Sequence, residues 1–128
     1  MIPVDAICAD IDCLFSECDR LDNTSVAFHS RLQFLLKRLA KKYGFAGVAE
    51  YSIPDCGGGR GGRIDVAWLT RGVPAVLIEI DSSRRQKSID KLKCTPADLK
   101  VWIYYGRFEI ALRDADDIVL VAKRARCG

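Results

Sequence analysis

Two hydrophobic periods organise this chain, a helical one up to Gly44 and a two-residue one from Val48 onward. Val4, Ile7, Cys8, Ile11, Leu14, Phe15, Cys18 and Leu21 recur at helical spacing with acids between them, which predicts an amphipathic helix over residues 4–20. "LDNT" breaks it, and Asn23 or Thr24 caps a second helix. Phe28, Leu32, Leu35, Leu36, Leu39 and Tyr43 line one face of that helix, and Gly44 stops it. "VAEYSI" (48–53), "RIDVAWL" (63–69), "AVLIEI" (75–80) and "VWIYY" (101–105) then read as strands. The turn "TRGVP" makes the second and third an antiparallel hairpin. With Ser82 as N-cap, "SRRQKSIDKLK" (83–93) forms a helix that turns Ile89 and Leu92 to the sheet and ends at Thr95-Pro96. That strand–helix–strand step favours parallel neighbours joined by a right-handed crossover. In the tail, "DDIVLVA" reads as a further strand, while "FEIAL" is left unassigned.

The pattern predicts one α/β domain over residues 1–128, a length that supports a single core. An acidic helix (1–22) precedes a core (25–105) with a mixed central sheet and a flanking crossover helix, and a C-terminal extension (106–128) follows. No apolar run approaches a bilayer span, and "MIPVDAICADIDCLF" has acids where a signal peptide needs cations. The expectation is a cytoplasmic chain with reduced thiols and no membrane contact. Cys8, Cys13 and Cys18 stand five apart and no C-x-x-C occurs, so zinc is disfavoured. Cys8 and Cys18 fall on the apolar helix face, where a free cysteine packs as a small hydrophobe. His29, the single histidine, reads as a partly buried packing residue.

Charge changes the picture little until it is mapped. The net charge is +3, but six acids against Arg20 give residues 1–22 a balance of −5, leaving +8 for the remainder. Such a surface suits a polyanion, or serves solubility alone. Lys37, Arg38, Lys41 and Lys42 crowd the second helix's last turns, where cations favour the helix dipole. "PDCGGGRGGR" lacks the G-K-[ST] of a phosphate loop and reads as a flexible connection offering Arg60 and Arg63 to a ligand.

"VLIEIDSS" carries the candidate chemistry. Side chains alternate along a strand, so Glu79 and Asp81 share one face about 7 Å apart. Two charges at that separation repel by a few kcal/mol unless something offsets them. In "RIDVAWL", Asp65 shares a face with Ala67 and Leu69, opposite Ile64, Val66 and Trp68. An in-register hairpin brings Asp65 to Glu79. Three carboxylates on adjacent strands make a site for a hard divalent cation, magnesium or manganese, or else three solvated strand ends.

"GRIDVAWL…AVLIEID", followed by a helix and "KVWIYY", resembles the PD-(D/E)xK, or restriction-endonuclease-like, nuclease superfamily over residues 25–105. Members have a helix, an antiparallel strand hairpin, a helix and a strand on a mixed sheet. The resemblance implies a metal-dependent nuclease hydrolysing phosphodiester bonds in DNA, with Asp65 and Glu79 as metal ligands. The literal Pro54-Asp55 sits ahead of a glycine run rather than within a strand, so Asp65 takes the motif aspartate's place. The family's lysine, two residues after the acid, is here Asp81. Either a cation moves in from the following helix, leaving Asp81 as a further ligand, or the site is inactive. Lys87 and Lys91 stand there at i, i+4, although a helical wheel turns both away from Ile89 and Leu92, and Arg85 lies nearer the sheet. The acid many members carry on the first core helix is absent, with Glu50 as a candidate substitute. Arg84, Arg85, Lys87, Lys91 and Lys93 form a phosphate-binding face or merely a solvated one. The alternative function is a catalytically inactive nuclease-fold module that binds nucleic acid or a protein partner. A homodimer, or a partner supplying target recognition, fits the small size equally.

Overall fold

The computed structural model describes residues 2–21, 24–54, 61–83, 85–106 and 117–122. Helices α1 (Val4–Leu21) and α2 (Ser25–Leu39) come first, and α2 tightens into a 3-10 turn over Ala40–Tyr43. Strands β1 (Ala46–Ile53), β2 (Gly62–Thr70) and β3 (Val73–Asp81) follow, then α3 (Gln86–Cys94), β4 (Leu99–Tyr104) and β5 (Ile118–Ala122). The five strands lie in the order β1-β2-β3-β4-β5. The pairs β1–β2 and β2–β3 are antiparallel, and β3–β4 and β4–β5 are parallel. The mixed α/β sheet and the parallel step across α3 are as the pattern predicts.

Helices cover both faces. Ile7, Ile11 and Phe15 of α1 and Phe28, Leu32 and Leu36 of α2 pack on Val66, Trp68, Ile78, Ile80, Val101 and Ile103. Ile89 and Leu92 of α3 cover the other face, on Ile64, Ala67, Leu77 and Trp102. A strand buried on both faces reads as a continuous apolar run, which is why β3 and β4 show so little alternation. The Trp68 indole N–H, fully buried, donates to the Leu36 carbonyl at 3.0 Å and ties β2 to the end of α2. A Cβ at Gly47 would stand 2.0 Å from the Lys37 carbonyl oxygen, so β1 reaches α2 only because that position is glycine.

Several boundaries differ from the sequence reading. Thr24 is the cap of α2, its hydroxyl accepting from the Ala27 N–H. The hairpin turn is only Arg71-Gly72, both at positive φ (51° and 76°), and Pro74 belongs to β3. Helix α3 starts at Gln86 with Arg85 as N-cap, so Ser82 is not its cap. Cys8, Cys13 and Cys18 are free thiols, and Cys18 is buried in the core. Against the expectation of reduced thiols throughout, Cys94 is disulfide-bonded, its partner lying outside the described residues. Asn23, Asp55, Arg60, Arg84, "FEIAL" and the basic end after Ala122 also lie outside them. Among the described residues no helix is long and apolar enough to cross a membrane.

Candidate functional site

The strand pair β2–β3 changes character along its length. From Thr70↔Val73 back to Val66↔Ile78 it is a backbone ladder, with one irregularity at Trp68/Leu69. One step further, in the same register, Asp65 stands opposite Glu79. There the carboxylates replace the ladder. The Asp65 N–H donates to Glu79 Oε1 at 3.1 Å, and the Ile80 N–H donates to Asp65 Oδ2 at 2.7 Å. Each acid satisfies a backbone donor of the opposite strand, and the two side chains converge as the hairpin register implies.

The alternation expected in β2 slips at this point. Ile64 packs on the α3 face and Val66 on the α1–α2 face, so the two flank Asp65 from opposite sides of the sheet. On β1, Glu50 adopts φ 54°, a left-handed conformation that costs a non-glycine residue about 1–3 kcal/mol. Gln33 of α2 bridges the irregularity, its amide donating to the Asp65 carbonyl and to Glu50 Oε2, both at 2.9 Å. Glu50 is exposed and held by Gln33 at the edge of this cluster.

Two side chains differ from expectation. Lys91 does not point away from the sheet. It is 17% exposed, its Nζ is 3.3 Å from Glu79 Oε1, and it donates to the Arg63 carbonyl at 2.7 Å. The helical wheel fails because it tracks Cα directions, whereas a lysine stem runs along apolar surface for several ångströms. Gly62 leaves that lane open: a Cβ there would come within 3.0 Å of Lys91 Cδ. His29 is partly buried as expected, but it has a polar partner, for its Nε2 lies 3.6 Å from Asp65 Oδ2. Its signal was the polar i, i+4 pair His29–Gln33 beside the apolar stripe of α2, both members of which reach Asp65.

Asp81 is occupied differently. Its Oδ2 accepts from the buried Trp102 indole N–H at 2.7 Å, and its Oδ1 is 3.9 Å from Arg85 Nε. A cavity of about 260 Å³ opens over Asp65, Glu79 and Asp81, with His29, Lys87 and Lys91 around it. Arg63 is exposed and offers its carbonyl to Lys91. Arg60 and Arg84 lie outside the described residues.

Comparison with protein-family models, curated proteins and solved structures finds no match for this chain. The site therefore rests on its own electrostatics. Burial pushes the Glu79 carboxyl up to about 7, the nearby Asp65 and Asp81 charges add to the rise, and Lys91 opposes it. The contact with Asp65 raises His29 above the ordinary imidazole value, against the effect of its burial. A carboxyl that burial keeps partly protonated near neutrality is a group short of positive charge.

Asp65 and Glu79 each have one oxygen engaged, Oδ2 and Oε1. Among the described residues nothing hydrogen-bonds the other two, Asp65 Oδ1 and Glu79 Oε2, and no fully buried polar side-chain atom lacks a partner. The free Glu79 oxygen therefore reaches the cavity. Among the described residues no three His, Cys, Asp or Glu side chains are grouped to hold a metal. A cation entering the cavity would find two carboxylate oxygens plus solvent there, and magnesium accepts such a set, since it takes one or two carboxylates and keeps several waters.

Proposed function

We propose that the protein is a divalent-metal-dependent nuclease of the restriction-endonuclease-like type, hydrolysing phosphodiester bonds in DNA. The order of elements supports this: helix, antiparallel strands β1–β3, then α3 and a parallel β4. The observation that carries it is the ion pair between Lys91 and Glu79. The lysine missing from the strand, where Asp81 stands, is supplied from α3 against the same acid. Asp65 and Glu79 would hold magnesium or manganese through their free oxygens, and such an ion would supply a water of lowered pKa and positive charge against the phosphate. Lys91, fixed by Glu79 and the Arg63 carbonyl, presents an ammonium where negative charge grows as water adds to phosphorus and one P–O ester bond breaks. Asp81 keeps its Trp102 hydrogen bond at the rim rather than acting as a third ligand.

A silent binding module has one observation in its favour: Lys91 already offsets part of the Glu79 charge. The two separate in one assay, with plasmid and single-stranded DNA incubated with magnesium, manganese or chelator. The nuclease reading expects cleavage that needs the ion, disappears in Glu79→Ala and drops about a hundredfold or more in Lys91→Met. Cleavage that survives both chelator and Glu79→Ala contradicts it, and binding without cleavage supports the silent module.

A further inference from the structure

We infer that the N-terminus of α3 is a second phosphate subsite, holding a backbone phosphodiester of the nucleic-acid strand beside the Asp65–Glu79 pair. The inference deepens the nuclease reading and rests on it. Arg85 caps α3 in an extended conformation with no side-chain hydrogen bond to the helix. The helix ladder begins with the Ser88 and Ile89 N–H groups on the Arg85 carbonyl. The N–H groups of Gln86 and Lys87 have no partner among the described residues, and a helix start with free N–H groups attracts anions.

The independent observation is Ser88. This residue is 3% exposed and lines the cavity; its hydroxyl makes no hydrogen bond among the described residues, and since no fully buried polar side-chain atom lacks a partner, it is open to the cavity. A hydroxyl that deep is normally satisfied by protein or by ordered water. Here the hydroxyl is left facing the cavity, where an anionic oxygen would accept from it. Lys87 and Arg85 bring positive charge to the same rim. Asp81 opposes an anion there, but its Oδ2 is turned to Trp102 and Arg85 stands beside its Oδ1.

The test uses the full chain carrying Glu79→Gln, in chelator, so that bound DNA stays intact. Binding of labelled single- and double-stranded oligonucleotides is read by fluorescence anisotropy across a salt series. Adding Ser88→Ala weakens binding roughly tenfold or more, the loss of one hydrogen bond to a charged group. Adding Lys87→Gln, at an exposed position that does not threaten folding, lowers the slope of log affinity against log salt by about 0.7 for a single strand. Both variants binding like their parent, with unchanged slope and unchanged circular dichroism, overturns the subsite. If that happens while the wild type still cleaves DNA, the nuclease reading stands alone. If both variants weaken binding but no metal yields cleavage, the subsite stands and the nuclease reading falls.

Discussion

The two ends of the β2–β3 hairpin use the same strands to opposite purposes. At the turn, Arg71 and Gly72 close the chain, the backbone ladder is intact, and Trp68 is buried against Tyr43, Phe45 and the Leu36 carbonyl. At the far end the ladder gives way to two acids that cap each other's strand, beside a strained Glu50 and a lysine drawn in from α3. One end is satisfied by apolar contact and backbone pairing. The other accumulates charge that its surroundings do not balance, the arrangement expected where a ligand completes the electrostatics. The hairpin thus divides into a packed end and a charged end.

The strongest way to break that separation is at the turn end. Trp68→Ala should cost about 3–5 kcal/mol by urea denaturation, since it empties the space of a fully buried indole and removes its hydrogen bond to the Leu36 carbonyl. Metal uptake by the remaining folded protein should not change. A parallel loss of uptake would show that the two ends are coupled.

Glu79→Gln should do the reverse. The native Glu79 carboxyl titrates at about 7, above its ordinary 4.5, so between these values the folded state binds more protons than the unfolded one. Stability of the metal-free protein therefore falls as pH rises through that window, a cost fully present above about pH 7 and absent below about 4.5. An uncharged amide at this position escapes the cost, and the Glu79→Gln variant should be more stable than wild type by about 3 kcal/mol at pH 8. Denaturation midpoints across pH check it, and a wild type that gains stability with rising pH would contradict it. Asp65, Asp81 and Lys91 face Glu79 and are included in that direction. His29, raised by Asp65, adds the same sign: its stabilisation is complete below the ordinary imidazole value and lost as pH passes its native one.

The smallest effect belongs to the turn itself. Gly72→Ala forces a side chain into φ 76° and should cost about 1–2 kcal/mol, with nothing within 4 Å of the new Cβ to add a clash. DNA cleavage per folded molecule should be unaffected.

Periodicity made the element order legible, since each element buries one face or both, and hairpin register sufficed to bring Asp65 to Glu79. What it missed has local causes. The alternation rule presumes a regular strand, and β2 is irregular where Asp65 meets the strained Glu50. The wheel assigned Lys91 to solvent because it does not measure stem length or notice the room left by Gly62. His29 showed as a lone ring beside an apolar stripe because its partner is more than thirty residues away on another element. Side chains that leave the face their Cα suggests were the hardest to foresee, and in this chain they are the ones that gather at the cavity.

The most direct test is calorimetric titration of magnesium or manganese into the metal-free protein at pH 7, run in two buffers of different ionisation enthalpy. Joint capture by Asp65 and Glu79 predicts saturable one-to-one uptake with release of about half a proton, the share Glu79 carries at that pH. Both features should vanish in Asp65→Asn and in Glu79→Gln. Absence of uptake, or uptake that either variant leaves intact, would contradict the account.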